Sequence, residues 1–282
     1  MMKYPSQILL LLLSTLGISA ITAAANLPQA SHVPGGVAIV ALPDDANFSQ
    51  VRFYKRRVMT VANGDTWYAV VGLPLTAKAG DHRLTYKNKE GEARDLSFAV
   101  TDKTYKEQRI TLKNKRHVNP YKNDLERIAK ERKQIGAAFS KWSNRSDINM
   151  KFDKPVNGPF TSPFGLKRFF NDQPRNPHSG LDIAAPTGTP IRLPADGTVV
   201  ESGDFFFNGN TVFIDHGQGL VSMYCHMSKI DVKNGDVLKR GDVIGKVGET
   251  GRVIGAHLHW SISLNNTRVD PMLFLATSHQ AE

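Results

Sequence analysis

The sequence of 282 residues contains a single cysteine, Cys225. It can form no intramolecular disulfide, and no lipid-bearing cysteine can follow an N-terminal export signal. An uninterrupted apolar run of the roughly 20 residues that a membrane-spanning helix needs is also missing. The longest such stretch, residues 8–20, is broken by Ser14, Thr15, Gly17 and Ser19. There is no H-E-x-x-H helix and no obvious glutamate base, which argues against the thermolysin-type layout of a zinc protease. Acidic residues are few, 26 against 36 Lys and Arg, leaving a net charge of +10. That excess implies long-range attraction to anionic partners.

What is present at the N-terminus reads as an export signal. Lys3 precedes an apolar run over 8–13 that continues to residue 20, and Ala23-Ala24-Ala25 offers a small-residue cleavage site. We expect a signal peptide over 1–25 and a mature chain from near Asn26. The expected location is the periplasm, with secretion or a retained signal anchor as alternatives. No stable membrane insertion is expected after cleavage. Export separates the basic chain from nucleic acid, so no nucleic-acid partner is expected and anionic envelope polymers take that place. The oligomeric state has no legible signature.

The remaining length accommodates two modest domains. Residues 26–105 contain short β-rich runs at 37–42, 51–54, 67–71, 82–86 and 96–100, with turns at Asn63-Gly64-Asp65 and 88–91. This predicts a small β-sandwich-like N-terminal domain, although the runs are fewer than the roughly seven strands of an immunoglobulin-type sandwich. Residues 106–150 read as a basic, solvated linker with a helix; 103–133 alone carry eleven basic and four acidic side chains. In it, Asn123 is the expected helix cap with Glu126 reaching back. Leu125, Ile128, Ile135, Phe139 and Trp142 form one apolar stripe, read as a packing face. Residues 151–282 are punctuated by Gly and Pro. Their runs at 190–200, 211–215, 220–226, 242–247 and 257–264 predict an antiparallel β-sheet domain, so the whole chain is expected to be mainly β.

The chemistry-bearing residues lie in that last part. His178-Ser179-Gly180-Leu181-Asp182 and His257-Leu258-His259 together offer three metal ligands and one spare imidazole, the composition of a catalytic zinc site with a position left for water. On a strand, His257, His259 and Ser261 share one face, while Leu258, Trp260 and Ile262 turn to the core. The same parity puts His226 on the face of Ser222 and Tyr224. It puts Cys225 with Val221 and Met223 on the core side, which argues against a cysteine nucleophile. His216 falls between two runs and is read as a structural turn residue.

These motifs carry a specific resemblance over residues 155–275. With Ser162-Pro163-Phe164-Gly165, Gly188-Thr189-Pro190, Gly209-Asn210, Ile214-Asp215-His216-Gly217, Tyr224-Cys225-His226, Gly241-Asp242 and Gly251, the second half resembles the lysostaphin-type (LytM-domain) zinc metallopeptidases, which cut peptide bonds in bacterial peptidoglycan. The first half resembles, more weakly, the smaller β domain that precedes this peptidase in exported relatives. The resemblance implies that His178, Asp182 and His259 hold zinc and that His226 and His257 are the two unligated active-site histidines. One of these would assist deprotonation of water, and the other would steady the oxyanion or protonate the leaving amine. Ala256 and Met227 stand where the family more often has proline and leucine. The implied substrate is a peptidoglycan peptide, with a D-alanyl-diaminopimelate cross-link expected and a glycyl bridge as the alternative bond. A non-catalytic member that binds peptidoglycan or activates another hydrolase is the alternative function. Tyr224, Asn210 and Arg168 are candidate substrate contacts, and the aromatic stretches 168–177 and 205–208 are candidate groove walls.

Overall fold

The computed structural model describes residues 27–276. The expected signal peptide and His279 lie outside them. Among the described residues, no helix is long and apolar enough to cross a membrane.

The first half contains β1 (Val37–Ala41), β2 (Arg52–Phe53), β3 (Arg56–Arg57), β4 (Met59–Asn63), β5 (Thr66–Gly72), β6 (Gly80–Lys87) and β7 (Ala93–Val100). They form two antiparallel sheets, ordered β1-β5-β4 and β3-β2-β6-β7. Ala38, Val40, Ala69 and Val71 of the first sheet share a buried core with Phe53, Leu84 and Phe98 of the second, which is the sandwich the alternating pattern predicts. Strand β4 is an addition to the sequence reading. Asn63 pairs with Thr66 across a Gly64-Asp65 loop in which Gly64 has φ +62°. The Asn-Gly-Asp turn is thus the tip of a hairpin.

The join is more ordered than a solvated linker. Strand β8 (Glu107–Ile110) runs parallel to β10 (Lys167–Phe170), with Gln108 opposite Arg168. Helix α1 spans Lys122–Phe139, so it starts one residue before the expected cap at Asn123. The reason is Asp124, whose Oδ2 accepts the Tyr121 backbone N–H at 2.9 Å and whose carboxylate also pairs with Arg116. Only the C-terminal part of the expected stripe is sealed. Phe139 is 1% exposed against Phe213, Val221 and Met223, whereas Leu125 is 54% exposed. Burying a phenylalanine at that end contributes about 1.5–3 kcal/mol, enough to seat the helix on the sheet.

The second half adds β9 (Phe160–Ser162), β11 (Gln173–Pro174), β12 (Leu181–Ala184), β13 (Pro190–Arg192), β14 (Gly197–Phe205), β15 (Gly209–Gly217), β16 (Leu220–Met227), β17 (Lys229–Ile230), β18 (Val237–Leu238), β19 (Val243–Lys246), β20 (His257–Leu264) and β21 (Thr267–Val269). Its main sheet has eight strands, β18-β14-β15-β16-β20-β12-β9 with β21 also on β20. A smaller sheet, β13-β19-β17, takes the first part of the expected 190–200 run. That run therefore splits between two sheets at Leu193-Pro194-Ala195-Asp196. One face of the main sheet buries Val212, Ile214, Tyr224, Leu258, Trp260 and Ile262. The other meets α1 through Phe213, Val221, Met223 and Cys225. Both faces of β16 are covered, and every residue of the strand is buried.

The two halves are joined directly. Val37, Met59, Val61 and Val70 belong to the same core as Leu264 and Val269. Buried Asn265 receives the Gly72 N–H at 2.7 Å and donates to the Gly72 carbonyl at 3.2 Å.

Candidate metal centre and groove

Asp182 of β12 and His259 of β20 are direct cross-strand partners, so the pleat projects both side chains from one face. His178 comes in just before β12 through Ser179 and Gly180. A Cβ at Gly180 would meet the Trp260 carbonyl at 2.5 Å and His259 Cε1 at 2.7 Å, so only glycine allows that close entry. The result is a compact triad: Asp182 Oδ1 is 3.0 Å from His178 Nε2 and 2.8 Å from His259 Nδ1, and the two ring nitrogens are 3.0 Å apart.

The outer atom of each group is held by a neighbour. His178 Nδ1–H donates to the Pro163 carbonyl at 2.8 Å, His259 Nε2 meets Ser261 Oγ at 3.0 Å, and Asp182 Oδ2 accepts from Arg168 Nη2 at 2.9 Å. With its proton on Nδ1, neutral His178 turns the lone pair of Nε2 toward another acceptor, Asp182 Oδ1. Acceptor facing acceptor is repulsive unless a proton or a cation lies between them. Among the described residues, these three form the group of His, Cys, Asp and Glu side chains able to share an ion, each with a ligand atom within 4.8 Å of the others. Two imidazoles and a carboxylate with oriented outer atoms suit zinc.

His257 and His226 stand beside the triad. The His226 ring centroid is 4.9 Å from that of His257 and 6.0 Å from that of His259. His257 Nε2 is 3.9 Å from Asp182 Oδ1. Each Nδ1 donates to a carbonyl, Gly255 for His257 at 2.8 Å and Thr250 for His226 at 2.9 Å, which leaves Nε2 as the nitrogen of each ring not engaged by the backbone.

The strand-parity expectation for His226 is corrected here. Pairing is Val212 with Tyr224 but Asn210 with Met227, so β16 carries a bulge, and His226 within it has φ +65°. The bulge moves His226 off the face of Ser222 and Tyr224 and into a cavity lined also by Met223 and His259. Cys225, directly opposite His259, lies on the face of the histidines rather than the opposite one. It is still 1% exposed, among Phe205, Phe213 and Met223, and burial pushes its thiol up, so it is neither a thiolate nor a ligand.

Of the three candidate substrate contacts, Arg168 lines the groove. Its guanidinium bonds Asp182 Oδ2, Ser162 Oγ at 3.1 Å and Gln108 Oε1 at 3.0 Å. Tyr224 is corrected: it is fully buried and its hydroxyl accepts from Ser222 in the core, so it reaches no substrate. Asn210 is also better described as structural, because its Nδ2 donates to the Met227 carbonyl at 3.0 Å and closes the bulge that turns His226. His216 is buried, with Nδ1 donating to Asp196 O and Nε2 facing Ser222 Oγ, both at 2.8 Å, in keeping with a structural role. The aromatic stretches divide. Phe205 packs in the core while Phe170 and Phe207 wall cavities beside the histidines. Sequence reasoning missed Gln108, which no local motif marks, and Thr250 and Ser261, which act through the rings they orient. It also missed Arg252, which lines two cavities next to His226.

The sequence and fold around this site resemble those of known proteins. The Peptidase family M23 description matches residues 176–271, and the Peptidase family M23 N-terminal domain matches 30–103. The crystal structure of a peptidase M23 chain from Pseudomonas aeruginosa is 43% identical, aligns over 87% of this chain and 95% of that one, and superposes with a TM-score of 0.73. The chain belongs to peptidase family M23. Among curated M23 relatives, the DD-carboxypeptidase/endopeptidase Mpg of Neisseria meningitidis serogroup B is 40% identical over 112 residues, 40% of this chain and 26% of its own length. The peptidoglycan DD-endopeptidase ShyA of Vibrio cholerae is 44% identical over 96 residues, 34% of this chain and 22% of its own length. The chain thus spans about a quarter of the curated relatives it matches.

The electrostatics of this M23 site favour neutral His226 and His259 rings beside one carboxylate. Burial pushes the Asp182 carboxyl up, but the close imidazoles of His178 and His259 at its Oδ1 outweigh it and hold it well below the usual range. Burial pushes His259 down to about 4 despite Asp182 beside it. His226 is held well below the ordinary imidazole range by burial, with His259 and His257 adding to the effect. At neutral pH both rings are uncharged and offer lone pairs, the state that a ligand and a proton acceptor require.

Proposed function

We propose that this M23 protein is an exported, zinc-dependent endopeptidase that hydrolyses the peptide cross-links of bacterial peptidoglycan. The observation that carries the proposal is the convergence of three acceptor atoms, from His178, Asp182 and His259, beside two imidazoles whose Nδ1 atoms are already engaged. The division proposed is an accessory domain over 26–105, a joining segment over 106–150 and the peptidase over 151–282, acting in the periplasm. The DD-endopeptidase names of the curated relatives support a D-alanyl-diaminopimelate bond as the one cut.

His178, Asp182 and His259 would hold the ion, and the chemistry a bound zinc supplies is polarisation of the scissile carbonyl and acidification of water. The chain's residues do the rest. Arg168 keeps the Asp182 carboxylate turned toward its two histidines. His226 and His257 present Nε2 to the groove, one to take the proton of the attacking water and the other to stabilise the oxyanion or give a proton to the departing amine. Each such proton transfer is worth about 10²–10⁴ in rate. The non-catalytic alternative is disfavoured because no member of the five-residue set is lost.

The test is digestion of purified sacculi by the zinc-loaded full chain, followed by mass spectrometry of the released muropeptides. Cross-linked dimers should disappear, and chelation or His226→Ala should stop the release. Sacculi bound but left intact by the zinc-loaded protein would refute the proposal.

A further inference from the structure

Among the described residues, Arg252 stands in the groove without an ionic partner. It lines both cavities that reach His226, one of about 360 Å³ and one of about 260 Å³. Its guanidinium lies over the rings of Phe170 and Phe207, 4.6 and 4.3 Å from their centroids. Ring contacts of this kind engage the cation through its charge and leave its N–H donors available for an acceptor. One of them, on Nη1, makes a long 3.5 Å contact with the His117 carbonyl. Among the described residues, no carboxylate comes within ion-pair distance of Arg252.

Arg168 is neutralised by Asp182. Arg175 donates to neutral acceptors, the Val118 carbonyl and Gln173 Oε1 among them. Burial, with Arg168 and Arg175 nearby, pushes Arg252 down to about 10, which still leaves it charged at neutral pH. A charge taken partly out of water is costly unless it is paired, and this one lies against two aromatic rings in cavities that it shares with His226.

We propose that Arg252 binds a free carboxylate of the peptide substrate and so selects acidic peptides for this groove. The inference rests on the endopeptidase reading above. It adds a determinant of specificity: a planar fork meeting a carboxylate in a site with restricted water, which favours the acid over its amide by about 10- to 100-fold. Packing alone would be satisfied by the two ring contacts and would produce no such preference.

The test compares two synthetic cross-linked peptide dimers, one with free carboxylates and one fully amidated, on the zinc-loaded full chain. Binding is measured by calorimetry in a His226→Ala background, which needs no turnover. The acid should bind about 10- to 100-fold tighter than the amide. Arg252→Gln should bring that ratio close to one by weakening the acid far more than the amide, and Arg252→Lys should restore part of the preference. In the active protein, Arg252→Gln should raise KM for the acid more than it lowers kcat. A ratio that survives Arg252→Gln, or an equal fall in affinity for both dimers, would overturn the proposal. Absence of hydrolysis by the active protein with the binding preference intact would instead refute the endopeptidase reading alone.

Discussion

Substituting His216 should remove a pH dependence of stability that has nothing to do with the metal centre. The ring is 2% exposed and sits between the Asp196 carbonyl and Ser222 Oγ, with Phe152 4.9 Å away. Burial pushes its pKa down to about 4, more strongly than the Asp196 carbonyl and Asp215 raise it. The folded protein therefore binds this proton less readily than the unfolded chain, where the ring titrates near 6.5. Stability contributed by the neutral ring is complete above the unfolded value and is lost as the pH falls from 6.5 toward 4. A depression of roughly 2.5 units corresponds to about 3 kcal/mol in full, and about 2.5 kcal/mol of it is lost between pH 7.5 and 4.5.

The assay is urea denaturation at pH 7.5 and 4.5 with chelator present, so that metal release does not enter. His216→Gln lowers stability at both values by leaving one of the two hydrogen-bond partners unsatisfied, about 1–3 kcal/mol. The decisive quantity is the slope. Wild type should lose about 2.5 kcal/mol more than the variant on acidification. His226 and His259 are also depressed but contribute equally to both proteins. Parallel losses would refute the reasoning and mean that His216 finds a charged, solvated state in the fold.

Three further outcomes follow from named contacts. Arg168→Met should weaken zinc binding by about 10- to 100-fold in chelator competition, because Asp182 Oδ2 loses its 2.9 Å donor; unchanged affinity would mean that relief of cation repulsion offsets lost orientation. Gly180→Ala should abolish zinc binding and cost about 1–3 kcal/mol, since its Cβ would collide with the Trp260 carbonyl and the His259 ring. Asn265→Ala should destabilise the protein by about 2 kcal/mol or more in urea, by stranding the buried N–H and carbonyl of Gly72, while zinc affinity is retained.

The clustering of His178, Asp182 and His259 was legible because each of them sits in regular structure or next to it. Asp182 and His259 are opposite each other on neighbouring strands, and alternation on β20 correctly separates His257 and His259 from Leu258 and Trp260. His226 was legible as a member of the set but not in its direction. The bulge in β16 depends on tertiary bonds, from Asn210 to Met227 and from the His226 N–H to Asn208, which strand periodicity does not contain. Tyr224 was misjudged for the related reason that a strand buried on both faces shows no polar side for a substrate. Arg252 adjoins the matched Gly251, yet its character comes from Phe170 and Phe207, which only the fold brings to it.

The joining segment shows how the fold separates chemistry from shape. Every member of the five-residue set, His178, Asp182, His226, His257 and His259, lies within the stretch matched as the M23 peptidase, residues 176–271. Much of the groove wall lies outside it: Gln108, Ile110 and Leu112 come from β8 and the residues after it, and Arg168 and Phe170 from the strand with which β8 pairs. These two groups meet through a short relay, in which Gln108 Oε1 accepts from Arg168 Nε and Arg168 Nη2 donates to Asp182. A fragment confined to the matched stretch would retain the triad but lose the donor that orients its carboxylate and the wall that shapes the groove. The orientation of the Asp182 carboxylate and the shape of the groove therefore depend on residues that precede the matched stretch, and in this architecture the basic join is a component of the groove.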